Sequence, residues 1–227
     1  MKQRIELVVF DMAGTTVDEG NVVYKTVQKV INDQGFNVSL EEVLKYGAGK
    51  EKHQAITDVL KECTSLINVS QVADIAFSKF KVALKKAYNM LEIKPFEGTE
   101  QLFNDLKNSH IKVVLNTGYD SKTANFLLEK LGWIVGETIY GLVTADDVEN
   151  GRPEGDMILL AMKNTGITDA EKVMKVGDSA IDIEEGKNAN CGMTVGVLTG
   201  AQNRTQIEEA NPTCIIESLN ELRVILL

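Results

Sequence analysis

Cysteine, proline, histidine and tryptophan are all rare in this sequence. Its 227 residues include only three cysteines, three prolines, two histidines and one tryptophan. The cysteines, Cys63, Cys191 and Cys214, are odd in number, widely spaced and without a CxxC pair. This pattern predicts neither a disulfide framework nor a zinc or redox site, and it favours reduced thiols in the cytoplasm.

Long apolar runs and an excess of positive charge are also missing. No apolar stretch near the N-terminus is long enough for a signal peptide, and none approaches the length of a membrane span. Acidic residues outnumber basic ones by 33 to 24, which gives a formal charge of −9. Such a balance disfavours nucleic acids and anionic membranes as partners. With 44% hydrophobic residues the chain can still bury a core.

The order of predicted elements indicates an α/β protein with an inserted helical segment. Residues 7–10 form a short apolar run typical of a buried parallel strand. From about residue 95 onward, helices alternate with short apolar strands, which predicts a doubly wound, mostly parallel sheet. We expect a core domain of residues 1–17 and 96–227, and a helical cap of residues 18–95.

The insert between residues 21 and 90 has the spacing of apolar residues expected for helices. One helix is predicted from Val22 to Asp33, and Ser39 with Glu42 forms the capping box of the next. The segment from Gly47 to Lys50 is too rich in glycine to be helical. We therefore treat it as a loop with a candidate function.

Four polar segments follow predicted strands or precede predicted helices, where active sites of open α/β sheets lie. They contain Asp11 after the first strand, the sequence Asn116-Thr117-Gly118-Tyr119, the sequence Gly151-Arg152-Pro153, and the pair Asp178 and Asp182. A nucleophile, an anion clamp, a cation and an acidic pair are the components of metal-assisted phosphoryl transfer. Taken singly, each aspartate is also a common turn or capping residue.

In this order and at these spacings, the set resembles the haloacid dehalogenase superfamily of phosphohydrolases over nearly the whole chain. The resemblance implies that Asp11 attacks phosphorus to form an aspartyl-phosphate. It also implies that the phosphoryl oxygens are held by Thr117, Gly118 and Arg152. The Mg²⁺ ligands implied are the side chains of Asp11 and Asp178 and the backbone carbonyl of Ala13, with Asp182 in support.

The residue at position 13 sets this chain apart from most phosphatases of that superfamily, which have an aspartate there to protonate the leaving group. The fragments FDMAGTTVDEG, NTGYD, DDVENGRP and KVGDS resemble the phosphonatase (phosphonoacetaldehyde hydrolase) subfamily. That subfamily has alanine at this position, a tyrosine that matches Tyr119, and an arginine that matches Arg152. A small phosphonate is the substrate that the resemblance implies.

A phosphorus–carbon bond leaves a carbanion, which protonation of an oxygen cannot help. In the subfamily, a cap lysine forms a Schiff base that accepts the electrons, and the glycine-rich loop places Lys50 at the matching position. His53 matches a proton shuttle, and Lys52 is expected to be solvated. An amine at this position must lose its proton to act, so we expect desolvation under the cap.

Other interpretations remain open at this point. Lys50 could bind the distal part of a phosphate ester without covalent chemistry, which would make the protein a phosphomonoesterase for a small metabolite. Asn21 and Tyr46 differ from the residues of the subfamily at the same places. A non-catalytic binding protein on the same fold is a third interpretation, and the chain is compatible with a monomer or a homodimer.

Overall fold

A six-stranded, wholly parallel β-sheet forms the centre of the computed structural model, which describes residues 5–227. The strands are β1 Leu7–Asp11, β4 Lys112–Thr117, β5 Gly141–Thr144, β6 Val173–Gly177, β7 Met193–Val197 and β8 Cys214–Ile216, while β2 Val17–Asp18 and β3 Lys94–Pro95 form a separate antiparallel pair. The spatial order is β5-β4-β1-β6-β7-β8, so the chain winds outward in both directions from β1. This arrangement confirms the predicted fold class.

Helices separate the strands along the chain. They are α1 Val22–Asn32, α2 Leu40–Gly47, α3 Lys52–Cys63, α4 Val69–Met90, α5 Thr99–Asn108, α6 Ser121–Leu131, α7 Asp156–Thr165, α8 Ala180–Asn188, α9 Arg204–Glu209 and α10 Leu222–Leu226. Three short 3₁₀ turns lie at Ala145–Asp147, Ala170–Lys172 and Leu219–Glu221. Helix α1 begins at Val22, as the sequence predicts, and ends at Asn32, one residue before the predicted end.

Strand β1 is buried on both of its faces. Val8 and Phe10 belong to one apolar cluster, and Leu7 and Val9 belong to another on the opposite side of the sheet. Successive side chains of a strand point to opposite faces, so a strand covered by helices on both sides is apolar throughout. The uninterrupted apolar run before Asp11 therefore has a direct structural cause.

Four helices, α1 to α4, lie between β2 and β3 in the chain. The predicted capping box is confirmed, because the Ser39 side chain accepts from the Glu42 backbone N–H at 3.1 Å and the Glu42 carboxylate accepts from the Ser39 N–H at 2.8 Å. The antiparallel pairing of Val17 with Pro95 brings the two ends of this segment together. The division into a core and a cap at residues 18–95 stays a prediction, and the first four residues of the predicted core domain lie outside the described residues.

No helix formed by residues 5–227 combines the length and the apolar composition needed to cross a bilayer.

Candidate active site

The carboxyl ends of the central strands bring the predicted polar segments to one edge of the sheet. Asp11 ends β1 and lies in register with Asn116 of β4. On the other side, β1 pairs with β6, which ends at Gly177 just before Asp178. Asp11 and Asp178 are 5% and 3% exposed. Burial raises the pKa of Asp11, although the Arg152 guanidinium beside it acts in the opposite direction.

Arg152 joins the third predicted segment to this edge. Its Nη1 donates to the Oδ1 atom of Asp11 at 2.7 Å, and its Nε donates to the Oε2 atom of Glu185 at 2.8 Å. Its Nη2 donates to the side-chain and backbone oxygens of Asn116, at 2.8 and 3.1 Å. Every nitrogen of the guanidinium thus has an oxygen partner, which fixes the orientation of this cation beside the nucleophile.

Sequence reasoning missed two charged residues of the same cluster, Lys175 and Glu185. The Lys175 ammonium is fully buried and lies 2.6 Å from Asn116 Oδ1, 3.0 Å from Glu185 Oε2 and 3.1 Å from Asp182 Oδ1. Two features of the sequence could have identified these residues. One is a lysine inside the apolar run of β6, and the other is a glutamate three residues after Asp182 on the same helix. A buried lysine needs a compensating anion, so its place in a central strand indicates an acidic neighbour.

The two acidic residues of the fourth segment have different surroundings. Asp182 accepts from Ser179 Oγ at 2.5 Å and lies 3.1 Å from both the Arg152 and the Lys175 nitrogens. Burial opposes ionisation of Asp182, but these two cations outweigh it and hold its pKa below the usual range. Asp182 therefore acts as the anion that holds Arg152 and Lys175 in place.

Asp178, in contrast, forms no ion pair with any basic side chain of residues 5–227. Its two oxygens accept from Thr15 Oγ1 at 3.3 Å and from the Ala201 N–H at 2.5 Å. Burial, together with repulsion from Asp11 and Asp182, raises its pKa well above the ordinary value. A buried carboxylate with two acidic neighbours and no cation of its own is costly unless a further positive charge is bound.

The residues at this edge fit a magnesium ion. A Cβ atom at Gly14 or Gly200 would collide with Asp178 Oδ2, so only glycine leaves room around that carboxylate. In the part of the chain that the structure describes, no three or more His, Cys, Asp or Glu side chains are grouped to enclose a metal. Mg²⁺ does not require such a group, because it keeps several waters and needs only one or two carboxylates.

The glycine-rich loop of the insert packs directly on this edge. The Gly49 carbonyl accepts from Arg152 Nη1 at 3.2 Å, and the Gly49 N–H donates to the Tyr24 hydroxyl at 3.0 Å. A Cβ atom at Gly118 would lie 2.9 Å from the Lys50 carbonyl oxygen, so the phosphate-binding segment and the loop touch through backbone atoms. The loop therefore covers the predicted phosphoryl site.

Lys52, rather than Lys50, has its ammonium directed inward, and the expectation that Lys52 is solvated is wrong. Lys52 is 7% exposed, and its Nζ donates to the Lys50 carbonyl. The same Nζ lies 5.3 Å from the centre of the Tyr119 ring and 5.7 Å from that of Tyr24. Burial lowers its pKa to about 8, although the negative charge of Asp11 acts in the opposite direction. Helix α3 begins at Lys52, and this packing removes its side chain from water.

The structure does not bring the Lys50 and His53 side chains to the acidic cluster. Lys50 Nζ pairs with Asp58 Oδ2 at 2.7 Å on the side of α3. His53 Nε2 lies 2.8 Å from Asp74 Oδ1 at the surface, and its ring packs edge-on against Phe77. The catalytic roles expected for these two residues stay predictions that this geometry does not support.

Two tyrosines join the insert to the core beside Lys52. The Tyr119 hydroxyl lies 2.7 Å from that of Tyr88 on α4, and both side chains are buried. The Thr117 hydroxyl accepts from the Tyr119 N–H at 3.2 Å, which orients the predicted phosphate-binding turn. A cleft of about 780 Å³ between α4 and α6 reaches Lys52, Gly118 and Tyr119 from outside. Tyr119 thus lines this cleft and directly follows the predicted phosphate-binding residues Thr117 and Gly118.

Comparison with known proteins gives consistent matches over nearly the whole chain. A family model described as haloacid dehalogenase-like hydrolase matches residues 8–198. A phosphonoacetaldehyde hydrolase of Latilactobacillus sakei subsp. sakei (strain 23K) is 31% identical over 210 residues, which cover 86% of this chain and 76% of the relative. One of Bacillus cereus (strain B4264) is 30% identical over 219 residues and covers 91% of this chain and 80% of the relative.

Solved structures share the fold. A protein from Oleispira antarctica, described as similar to phosphonoacetaldehyde hydrolase, superposes with a TM-score of 0.84 at 21% identity, over 98% of this chain and 91% of that one.

Proposed function

We propose that this chain hydrolyses a small phosphonate bearing an aldehyde or ketone. It belongs to the haloacid dehalogenase-like hydrolases and to their phosphonatase-like branch. Phosphonoacetaldehyde is the simplest such substrate. The observation that carries the proposal is the ammonium of Lys52, which is buried, forms no ion pair with a carboxylate among residues 5–227 and is attracted by the negative charge of Asp11, while position 13 offers no acid.

Asp11 is the nucleophile in this proposal. Its carboxylate ends β1 and is held by Arg152, so one oxygen is oriented while the other stays available for attack on phosphorus. Thr117 and Gly118, in the turn after β4, hold the phosphoryl oxygens, the Arg152 guanidinium offsets their negative charge, and Tyr119 borders the bound substrate. The methyl group of Ala13 cannot donate a proton, so the electrons of the breaking bond must be accepted elsewhere.

Lys52 supplies that acceptor. Its amine nitrogen attacks the carbonyl carbon of the substrate, and loss of water leaves an iminium ion. The electron pair of the phosphorus–carbon bond then moves into the iminium to give an enamine, while the phosphoryl group passes to Asp11. Water hydrolyses the aspartyl-phosphate, and protonation and hydrolysis of the enamine release the aldehyde and restore the amine. A pKa of about 8 leaves a useful fraction of free amine near neutral pH.

Magnesium fits the acidic edge of the same site. Asp11, Asp178 and the backbone carbonyl of Ala13 would hold it, and Asp182 would support them through Arg152 and Lys175. When bound, Mg²⁺ offsets the repulsion between the anionic nucleophile and the anionic substrate.

Hydrolysis of a phosphomonoester is the second candidate. The observation that favours it is the ion pair of Lys50 with Asp58, which keeps the lysine of the matching loop position away from the site. In that case Lys52 would bind an anionic group of the substrate as a cation only. Ester substrates with a good leaving group need no acid at position 13.

Matched lysine variants test the proposal. Lys52→Ala is expected to lower kcat/KM for phosphonoacetaldehyde by at least about 10³-fold, since the electron acceptor is lost. Lys50→Ala, two positions away, is expected to stay within about threefold, because its partly exposed ion pair contributes little. The measurement is the coupled release of phosphate and aldehyde. Equal losses in both variants, or release of phosphate from esters alone, would contradict the phosphonatase proposal.

A further inference from the structure

The cleft between α4 and α6 is larger than a two-carbon substrate requires. Its volume is about 780 Å³, which lies within the range of roughly 300–1,000 Å³ for sites that bind drug-sized ligands. The residues that line it include Lys52, Gly118 and Tyr119, so the cleft is continuous with the site proposed above. It therefore has room for a further group attached to the carbonyl carbon of the substrate.

Apolar side chains form the walls of this cleft. Helix α4 contributes Phe77, Phe80 and Leu84, whose spacing places them on one face of the helix, and α6 contributes Phe126. The rings of Phe77 and Phe80 are nearly parallel, with an interplanar angle of 11° and centroids 6.3 Å apart. A flat apolar group such as an aromatic ring suits these walls, because it buries apolar surface against them.

Three lysines lie at the mouth of the cleft. Lys81 and Lys85 of α4 and Lys122 of α6 line the cleft and are exposed. None of them forms an ion pair with an acidic side chain in the described part of the chain, residues 5–227. Lys81 Nζ lies 4.2 Å from the centre of the Phe77 ring. The mouth thus carries unpaired ammonium groups in a chain whose formal charge is −9.

The acidic residues that line the cleft are engaged by backbone N–H groups instead. Asp120 accepts from the Thr123 N–H at 2.7 Å, and Asp146 accepts from the Ser121 N–H at 2.8 Å. Glu51 caps the start of α3 through two N–H groups, both at 2.9 Å. The lysines are therefore available to pair with a bound anion, and this charge complementarity favours a ligand with an acidic end.

We propose that the cleft binds the distal part of the substrate, and that this substrate is a ketone with an aromatic ring and a terminal carboxylate beyond its carbonyl. This inference rests on the proposed function and extends it from a two-carbon aldehyde to a larger phosphonate. The carbonyl lies at Lys52, the ring against the apolar walls, and the carboxylate beside the three lysines. The chemistry is unchanged, because the carbon that loses phosphorus gains a proton, and the products are phosphate and a methyl ketone.

A series of three ketones tests the distal site. They are acetonylphosphonate, the analogue with a phenyl group on its far methyl carbon, and the para-carboxy derivative of that analogue. The phenyl group is expected to raise kcat/KM for phosphate release by at least about 30-fold, since it buries apolar surface in the cleft. The carboxylate is expected to add about fivefold at low ionic strength, and salt should remove this gain. Similar kcat/KM values for all three would overturn the proposal.

Two neighbouring lysines of α4 provide a matched pair of variants. Lys85 lines the cleft, whereas Lys86 is exposed and lies outside its lining. Lys85→Glu is expected to lower the preference for the para-carboxy over the phenyl ketone by about fivefold, because it replaces an attractive charge with a repulsive one. Lys86→Glu is expected to change this preference by less than about twofold. The same preference in both variants would overturn the proposal.

A second copy of this chain is the competing occupant of the cleft. In that case the wild type would sediment as a dimer and Lys85→Glu as a monomer, while the three ketones would react at similar rates, and the proposal would be overturned. Failure of the proposed function is recognised separately, because no phosphate would then be released from phosphonoacetaldehyde or any of the ketones, and the distal site would be rejected with it. Release from phosphonoacetaldehyde without a gain from the ring would reject the distal site alone.

Discussion

Asp11→Asn is expected to reduce phosphate release by at least about 10⁴-fold, because an amide oxygen does not displace a leaving group from phosphorus. The asparagine keeps the shape of the side chain, and its carbonyl oxygen can still accept the hydrogen bond that Arg152 Nη1 donates at 2.7 Å. The loss should therefore appear in kcat rather than in folding. Purified variant and wild type are compared by steady-state phosphate release at saturating substrate.

Two controls distinguish a loss of catalysis from a loss of folding in this comparison. Asp18→Asn changes an exposed carboxylate of the same segment and should retain wild-type rates. The urea unfolding curve of Asp11→Asn should resemble that of the wild type, since burial already disfavours the ionised form of Asp11. A variant that folds normally and keeps more than about a tenth of the activity would show that Asp11 is not the group that attacks phosphorus.

Arg152→Met is expected to cost about 3–5 kcal/mol in the free energy of unfolding, in addition to activity. The guanidinium is the shared partner of three buried carboxylates, those of Asp11, Asp182 and Glu185. Methionine fills a similar volume but leaves Lys175 as the remaining cation that pairs with this cluster in residues 5–227. Urea denaturation at constant pH measures the loss.

A surface arginine provides the matched control for this stability prediction. Arg204 pairs with Glu217 at 2.8 Å, and its side chain is 47% exposed. Arg204→Met is expected to change the free energy of unfolding by less than about 1 kcal/mol, because water screens such pairs. Similar losses in the two variants would contradict the view that Arg152 neutralises buried charge.

The fold and the acidic edge of the sheet could be predicted from the sequence, because apolar runs show where the strands end. The run before Asp11 and the strand before Asn116 place these two residues side by side in a parallel sheet, and the structure pairs them in register. The glycines around Asp178 were not predicted; their cause is the close approach of backbone to a carboxylate, which leaves no space for a Cβ.

The charges behind that edge and the direction of the cap lysine were harder to predict. Lys175 lies within an apolar strand, and a strict alternation of apolar and polar residues predicts that such a side chain faces solvent. Its partners Asp182 and Glu185 are nevertheless buried. Lys50 and Lys52 differ by two positions at the start of α3. Which of them points inward depends on how the loop packs against Gly118, a contact between segments far apart in the chain.

In the proposed reaction, the Lys52 amine accepts the electrons of the broken bond. Borohydride reduction during turnover of phosphonoacetaldehyde, followed by proteolysis and peptide mass spectrometry, is the most direct test of this role. We expect a substrate-derived adduct on Lys52, absent without substrate and absent from Lys50. An adduct on Lys50, or phosphate release from this compound with no lysine adduct at all, would show that Lys52 does not accept these electrons.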